Sequence, residues 1–466
     1  ICEAGVKMLN SRIYSEKIGV LVPEILLPKA GTDMKAWSVV ACDQYTSEPE
    51  YWLEVEKKAQ GKPSTFYLTF PEVYLEDDDS EDRIKKINDA MKEYIDKNIL
   101  TSHGSCMIFV DRKTSHTESR KGLVLAIDLE KYDYNKGSQT LVRATEGTVI
   151  DRLPPRIKIR KNASLELPHV MVLIDDPEKT VIEPLAEKVG DFEKVYDFEL
   201  MASGGHIKGY KIDDEKVLSN IISALEKLSD PSAFKSKYQV GDDKGLLLFA
   251  VGDGNHSLAS AKGHWEIIKK NLSEHELKNH PARFALVELS NVHDEGITFE
   301  PIHRVVFNID TKDIFDSMKK FFDNSEIAFE KFDSLDMVNK KIEESSQNPS
   351  VHTFGFVTSE GYGVIEVKNP SYNIETGTLQ HFLDNYIEQN EKAKIDYIHG
   401  EDVVTKLGSQ EGNIGFYLPS MNKNDLFKTV ILEGVLPRKS FSMGEAEEKR
   451  FYLECRQIVQ RLEDRD

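Results

Sequence analysis

A buried strand, a glycine-rich turn and an amphipathic helix follow one another at residues 245–272, and this stretch most constrains the fold. Leu246 to Val251 is an unbroken apolar run between two glycines, which is typical of a strand buried on both faces of a sheet. Beyond it, apolar residues recur three and four positions apart, as expected for one stripe of a helix, at Leu258, Ala261, Trp265, Ile268 and Leu272.

The turn between strand and helix has the composition of an anion site, with the sequence Gly252-Asp253-Gly254-Asn255-His256-Ser257. Its two glycines permit a tight turn with positive φ. We expect the side chain of Asp253, Asn255 or Ser257 to cap the first amides of the helix. Unpaired N–H groups and the positive end of the helix dipole converge at such a turn. The sequence therefore predicts that a negatively charged group binds here.

Five stretches of the chain resemble motifs of the domain of unknown function 1015 family. AVGDGNHSLASAK resembles the family's strand-turn-helix element DGHHR. Four further stretches resemble HExT…DR, PTHR, DYxH and MPxKS in the same order, and they are RATEGTVIDR (143–152), PIHRVV (301–306), DYIHG (396–400) and LPRKSF (436–441). The chain departs from the family with Asn255 for the first histidine, Ser257 for the arginine, and Ala144-Thr145 where the family often has His.

The resemblance implies a mixed α/β fold, because the family is similar to the ParB/sulfiredoxin superfamily of nucleotide-binding proteins. We expect a ParB/sulfiredoxin-like core with large insertions at residues 8–306 and a smaller C-terminal α+β domain at 307–466. A length of 466 residues also favours two domains. Residues 1–7 are left out of this prediction.

Composition narrows the class of protein. A hydrophobic content of 39% and a charged content of 30% are typical of a soluble globular chain. No apolar run approaches membrane-spanning length, so we expect a cytoplasmic protein without a membrane partner. The four cysteines lack metal-ligand spacing. A formal charge of −20 argues against nucleic acid as a partner, since phosphate contacts require an excess of Lys and Arg.

Two further elements matter for the site. Trp37 to Ala41 is predicted to be a strand. Polar residues 42–48 follow at its end, where α/β proteins place ligand contacts, but a plain helix N-cap explains Ser47 and Glu48 equally well.

The tail from Glu445 to Arg465 is charged throughout, and its sequence predicts a helix. Such a helix suits packing on the domain or on a second subunit, so a homo-oligomer is one expectation.

The first functional hypothesis is a nucleotide-dependent phosphotransferase of free-serine-kinase type, using ATP or ADP with Mg²⁺ on a small molecule or amino acid. Charge in its transition state lies on phosphoryl oxygens, so it requires oriented amides and cations. We predict Asp253, His256 and Glu146 as catalytic residues, with Asp253 or Glu146 holding the metal ion. The predicted nucleotide-binding residues are Gly252, Gly254, Asn255, Ser257, His303, Arg304 and Lys439.

Other interpretations stay open. A non-catalytic nucleotide or metabolite sensor is favoured by the missing arginine at Ser257. A metal-dependent hydrolase is the third hypothesis, although no paired-ligand spacing supports it. Single residues also have plain structural explanations: His303 as a buried histidine bonded to a carbonyl, Lys439 as the solvated end of a helix, and Glu146 as part of an ion pair. A purely structural role for the turn also stays open.

Overall fold

The chain divides into two compact units, and a computed structural model describes residues 6–9, 12–323, 326–346 and 348–459. The first unit comprises Ile1–Thr298 together with Gly444–Asp466, and the second comprises Phe299–Met443. This division differs from the expected boundary at 306/307. The reason lies at the base of the second unit, where Glu300–Pro301 pairs with Phe441–Ser442, so that the chain enters and leaves this unit through neighbouring strands.

The first unit is built on a mixed 12-stranded sheet. The strands of this unit in chain order are β1 (Val6–Leu9), β2 (Arg12–Ser15), β3 (Val20–Leu21), β4 (Glu24–Pro28), β5 (Leu100–Ser105), β6 (Met107–Lys113), β7 (Arg120–Asp128), β8 (Tyr132–Asp133), β9 (Val142–Ala144), β10 (Leu165–Glu166), β11 (Met171–Ile174), β12 (Glu193–Glu199), β13 (His206–Ile212), β14 (Phe249–Asp253) and β15 (Phe284–Asn291). The main path runs β1-β2-β3-β7-β15-β11-β14-β9-β8, and β6 and β13 continue it from β7 to β12. Parallel pairs at β11–β15, β14–β9 and β8–β9 confirm the mixed α/β class.

Helices cover both faces of this sheet: α1 (Met34–Trp37), α2 (Pro49–Ala59), α3 (Ser80–Asp96), α4 (Leu153–Arg160), α5 (Glu183–Ala186), α6 (Glu215–Leu228), α7 (Pro231–Tyr238), α8 (Asn255–Ile268) and α9 (Glu274–Asn279). Side chains of a strand alternate between the faces, so Leu123 and Leu125 of β7 join a core with α6 and α8. Val124 points to the opposite core, which contains α2 and α3. Burial on both faces explains the continuous apolar runs in the sequence.

The second unit contains an antiparallel six-stranded sheet in the order β18-β20-β19-β22-β17-β21. Its strands are β16 (Glu300–Pro301), β17 (His303–Phe307), β18 (Ile327–Phe332), β19 (Val351–Thr358), β20 (Gly361–Lys368), β21 (Lys394–Ile398), β22 (Asn413–Tyr417) and β23 (Phe441–Ser442). Its helices are α10 (Thr311–Phe321), α11 (Leu335–Ser345), α12 (Glu375–Gln389), α13 (Glu401–Gly408) and α14 (Lys423–Glu433). None of the helices among the described residues of either unit has the length and apolar character needed to cross a membrane.

Residues 444–459, here called the returning segment, lie in the first unit and, apart from one 3₁₀ turn at Ala446–Glu448, are extended rather than α-helical. Cys455 bridges Leu26, Phe451 bridges Val40, and β24 (Arg456–Gln457) pairs with β10. The predicted tail helix is therefore wrong for the described part of the tail, and residues 460–466 lie outside it. The segment buries almost every side chain from Arg450 to Arg456, which a helix with one polar face would not do.

The strand predicted at Trp37–Ala41 is also wrong. Asp33 accepts a hydrogen bond from the amide of Ala36 and caps the short helix α1, which ends at Trp37. The residues after it contact the returning segment instead of a regular ladder, and the hydroxyl of Ser38 donates to the carbonyl of Tyr452. These contacts span more than 400 residues of sequence, so local pattern did not indicate them.

Buried ion pairs hold the returning segment. Nε of Arg450 lies 2.9 Å from Oε2 of Glu288 in β15, and its Nη2 lies 2.5 Å from Oε2 of Glu454. The hydroxyl of Tyr196 donates to Glu454 at 2.6 Å. All four side chains are buried. Removing one partner of such a network leaves a charge without compensation in the interior.

We therefore expect Arg450→Met to lower the free energy of unfolding of the first unit by about 3–5 kcal/mol, because Glu288 and Glu454 would remain buried without their cation. Urea titrations followed by tryptophan fluorescence measure this, since Trp37, Trp52 and Trp265 all lie in the first unit. Arg83→Met is the matched control. Arg83 forms an exposed pair with Asp79, so its loss should cost less than about 1 kcal/mol. Equal losses of stability in Arg450→Met and Arg83→Met would contradict the conclusion that buried ion pairs hold the returning segment.

The second unit should lose stability in mild acid. Burial, helped by Arg304 and His399, lowers the pKa of His303 to about 4, below the value of about 6.5 expected in the unfolded chain. The unfolded state therefore binds more protons between these values, and stability is lost as the pH falls through this window. At pH 5 the loss from His303 is about 2 kcal/mol.

Hydrogen exchange of peptides from β17 and β19 at pH 7 and pH 5 tests this expectation. The variant His303→Asn should lose less stability on acidification than the wild type by about 2 kcal/mol. His381→Asn, which alters an exposed histidine of the same unit, should follow the wild type. If the stability of His303→Asn fell with pH as steeply as that of the wild type, His303 would not be the titrating group.

Candidate functional site

The turn before α8 has the backbone predicted for it, but a different cap. Gly254 is the N-cap residue with φ of 77°, and no side chain forms a capping hydrogen bond. The prediction that Asp253, Asn255 or Ser257 caps the helix is wrong. A Cβ at Gly254 would lie 3.0 Å from Cα of Val170, so both the positive φ and the neighbouring strand require glycine.

The start of α8 is consequently a group of amides without side-chain acceptors. The amide of Leu258 is satisfied by the carbonyl of Gly254 at 3.1 Å, but the preceding amides have no intrahelical carbonyl to bond. Oδ1 of Asn255 is buried without a hydrogen-bond partner among the described residues. Positive potential from the helix dipole is therefore not neutralised by a cap.

Asp253 and Glu146 end two neighbouring parallel strands. Ala144 of β9 pairs with Val251 of β14, so each carboxylate lies two residues beyond this pair. The hydroxyl of Thr145 donates to the carbonyl of Val251 at 2.6 Å and holds the start of the loop against β14. Glu146 is exposed. The two predicted metal-binding carboxylates thus end adjacent strands at the same edge of the sheet.

Asp253 is constrained by two contacts. Its Oδ1 accepts the amide of Gly254 at 3.0 Å, and its Oδ2 lies 3.4 Å from Nζ of Lys449 in the returning segment. The lysine is 14% exposed and the carboxylate 23%, so the pair is only partly hydrated. A cation from the C-terminal end of the chain therefore stands beside the predicted catalytic carboxylate.

His256 lies in the first turn of α8 and contacts the loop that carries Glu146. Its Nε2 accepts the amide of Val149 at 3.3 Å, which places the ring proton on Nδ1. Burial lowers the pKa of His256, Arg156 and Arg152 lower it further, and Asp43 opposes them. The imidazole is therefore neutral at physiological pH and donates a hydrogen bond only through Nδ1.

A cavity of about 130 Å³ adjoins this turn, and its walls include Ser257, Ser260, Arg156, His169, Cys42 and Tyr452. Nε of Arg156 donates to Glu72 at 2.7 Å, and a second nitrogen completes a bidentate pair. Nδ1 of His169 lies 2.8 Å from the hydroxyl of Tyr452, and its Nε2 lies 3.9 Å from Asp43. Polar groups from α4, α8 and the returning segment converge on one small space.

The remaining predicted residues belong partly to β14 and partly to the second unit. Gly252 lies within β14. Nδ1 of His303 accepts the amide of Leu418 at 3.1 Å. Arg304 is fully buried and donates to Gln380 and to the carbonyl of Arg438, while Lys439 is exposed. His303 and Arg304 already make hydrogen bonds inside the second unit. His303 is buried, as its structural explanation expects, but its partner is an amide rather than a carbonyl.

Several site groups were not predicted from sequence, namely Arg156, His169, Lys449 and Tyr452, while Asp43 fell only within a stretch flagged for ligand contacts. Arg156 lies in the short helix α4, which contains two prolines and shows little apolar periodicity in its sequence. Tyr452 and Lys449 were assigned to a tail helix. The alternating apolar residues Phe451, Leu453 and Cys455 are the signal that would have indicated an extended segment.

Solved structures with some similarity to the chain include free serine kinase in complex with AMP, at 12% identity, a TM-score of 0.34, and coverage of 72% of this chain and 91% of that one. Others are a conserved hypothetical protein from Pyrococcus furiosus (11%, 0.33, 72% and 95%) and a C-terminally truncated SbnI from Staphylococcus aureus (7%, 0.31, 69% and 83%). At such TM-scores the likeness carries no argument about function.

No curated protein matches the chain. The family described as "Protein of unknown function (DUF1015)" matches residues 26–386, which is more than half of the chain and includes the central turn. The similarity of that family to the ParB/sulfiredoxin superfamily stays a prediction. The match and the motifs agree, and the chain belongs to the DUF1015 family.

Proposed function

We propose that the first unit binds the phosphate groups of a nucleotide at the start of α8 and transfers a phosphoryl group to a small molecule. The observation that carries this proposal is the uncapped helix start at Gly254, where amides converge without a side-chain acceptor. Backbone N–H groups at a helix N-terminus bind phosphate through short hydrogen bonds and the helix dipole. ATP would supply the phosphoryl group, with ADP as its product.

Nearby cations support the proposal despite the serine at position 257. Arg152 and Arg156 lie close enough to His256 to lower its pKa, and Lys449 lies beside Asp253. These side chains can neutralise phosphate charge that the absent arginine of the motif would otherwise meet. Neutral His256 adds an N–H donor at the first turn. Local positive charge thus exists within an acidic chain.

Asp253 is the group we assign to the acceptor's proton. In the proposed reaction an acceptor hydroxyl oxygen bonds to the γ-phosphorus, the bond from that phosphorus to the bridging oxygen breaks, and the hydroxyl proton passes to the carboxylate. Oδ1 is oriented by the amide of Gly254, which fixes the carboxylate plane. An amino acid with a side-chain hydroxyl is one acceptor of this kind.

Mg²⁺ fits as an ion delivered with the nucleotide. Among the residues that the structure describes, no group of three or more His, Cys, Asp or Glu side chains is placed to hold a metal ion. Mg²⁺ commonly takes one or two carboxylates and completes its shell with phosphate oxygens and water. Asp253 and Glu146, at the ends of adjacent strands, would supply those carboxylates.

One observation favours a sensor without turnover as the second candidate. The Lys449 ammonium lies 3.4 Å from Oδ2 of Asp253, so the carboxylate assigned to the acceptor's proton already has a charged partner within the protein. A metal-dependent hydrolase has no comparable support from the described residues. The two nucleotide hypotheses share the binding site and differ only in whether phosphate is transferred.

Binding at the amides predicts opposite effects of one substitution on stability and on affinity. Ser257→Asp places a negative charge at the helix N-terminus, which should leave stability unchanged or raise it by about 0.3–1 kcal/mol. The same charge should weaken ADP binding by about tenfold or more through repulsion of the phosphates. Thermal unfolding and calorimetric titration with ADP measure both quantities.

Ser257→Asn is the control for this variant, because it has the size of aspartate without its charge. ADP affinity in this control should stay within about threefold of wild type. Wild-type affinity in Ser257→Asp would place the nucleotide elsewhere. No measurable ADP binding by the wild-type protein would remove the proposed function altogether.

A second substitution separates catalysis from sensing. Asp253→Asn keeps an oxygen for the amide of Gly254 but cannot accept a proton. Acceptor-dependent ATP consumption should fall by about a hundredfold or more, whereas ADP affinity measured without Mg²⁺ should change by less than about threefold. Full turnover in this variant would contradict the assigned role. If the wild-type protein binds ADP but never consumes ATP with any hydroxyl acceptor, the sensor hypothesis holds.

A further inference from the structure

A second, larger cavity lies between α3, α4 and the C-terminal half of α8. Its volume is about 670 Å³, which is within the usual range for small-molecule sites. Its walls come from the same three helices that line the cavity beside the turn, and Ala163 borders both. His264 in its wall lies seven residues after Ser257 in α8, which corresponds to about 10 Å along the helix axis. The two cavities are therefore neighbours but distinct.

Lysines outnumber carboxylates around this second cavity. Lys85, Lys92 and Lys161 line it together with Asp89, and none of these three lysines forms an ion pair within the described ranges of the chain. Lys158 also lines it and is paired with Glu81. For a chain of formal charge −20, three unpaired lysines around one concavity are a local reversal of charge.

The wall of the cavity contains polar groups that the protein does not satisfy. His264 is only 7% exposed and lines the cavity, and its ring forms no hydrogen bond in the described portion of the molecule. Asn88 is 6% exposed and lines the same cavity, and its Oδ1 is buried without a partner. Buried polar groups are almost always hydrogen-bonded, so the imidazole and the amide are both available to a ligand that enters the cavity.

We propose that this second cavity binds a small polyanion that carries at least two phosphate or carboxylate groups. Lys92 and Lys161 meet its charge at the rim, and His264 donates a hydrogen bond from the wall. The apolar side chain of Ile268 bounds the space for a short carbon skeleton. This site goes beyond the proposed nucleotide site and does not depend on it, because it uses neither the helix start nor Asp253.

The protonation state of His264 agrees with its role as a neutral hydrogen-bond donor. Burial lowers the pKa of His264 to about 4, with further lowering from Arg160 and His280. The imidazole is therefore uncharged at physiological pH and offers one N–H to a ligand. Charge neutralisation therefore falls to the lysines that line the cavity.

Calorimetric titration of the full chain in the Ser257→Asp background, at low salt, tests the proposal with citrate and inorganic pyrophosphate as probes. The Ser257→Asp substitution weakens anion binding at the turn before α8, so the binding that remains is assigned to the second cavity. We expect at least one probe to bind, and Lys92→Glu with Lys161→Glu to weaken it by about tenfold or more. Preference for citrate or for pyrophosphate distinguishes a carboxylate ligand from a phosphate ligand.

A matched charge control is Lys188→Glu with Lys216→Glu, which changes the net charge equally at exposed lysines outside the cavity. The affinity of this control variant for the probe should stay within about threefold of that of the Ser257→Asp background. His264→Phe keeps the net charge of the neutral state and should weaken binding by about tenfold. Absence of binding by both probes, or an equal loss in the control, would overturn the proposal.

The outcome is separable from that of the proposed function. ADP affinity of the double variant Lys92→Glu with Lys161→Glu, measured with the native Ser257, should change by less than about threefold, because these lysines lie at the other cavity. A parallel loss of ADP and citrate binding would instead show that the two cavities form one nucleotide site. Failure of ADP to bind at all leaves the citrate titration informative.

Discussion

The ion pairs that bury the returning segment in the first unit are the interaction on which the site depends. Arg450 contacts Glu288 in the middle of the sheet, and Arg456 contacts Glu166 at 2.7 Å. Arg456 offsets the cost of its burial with hydrogen bonds to Glu166 and to the carbonyls of Pro281 and Phe284, and Arg450 does so through its two carboxylate partners. Held in this way, residues 449–452 bring an ammonium group to Asp253 and a hydroxyl to His169. The site is therefore assembled from sequence positions almost 300 residues apart.

A second buried arginine reinforces this arrangement without a carboxylate partner. Arg112 donates to the carbonyls of Gly204, Glu447, Glu448 and Lys449. Burial lowers the pKa of Arg112. The three acceptors at residues 447–449 fix the backbone at and just before the residues that reach the site. Conformational freedom of Lys449 and Tyr452 is therefore removed before any ligand binds, which lowers the entropic cost of binding.

Sequence alone predicted the parts of the fold that depend on local pattern. The helix α8 and the glycine turn before it follow from apolar periodicity and turn chemistry, whereas the mixed α/β class and family membership follow from the resemblance of short motifs. The central strand begins at Phe249 rather than Leu246, because Leu248 and Phe249 both bond the carbonyl of Leu141 before the ladder starts. The contacts between segments distant in the chain could not be predicted from local sequence pattern. The charged residues at 445–465 suggested a helix that packs on the domain or on a second subunit, whereas residues 450–456 form an extended, buried part of the first unit.

The most direct test of the central claim is a crystal structure of the full chain with ADP. We predict density for a phosphate group within hydrogen-bond distance of the amides of Asn255, His256 and Ser257, next to Gly254. The adjoining cavity, with Arg156 and His169, would hold another part of the ligand. Density for ADP elsewhere, with only water at these amides, would contradict the account.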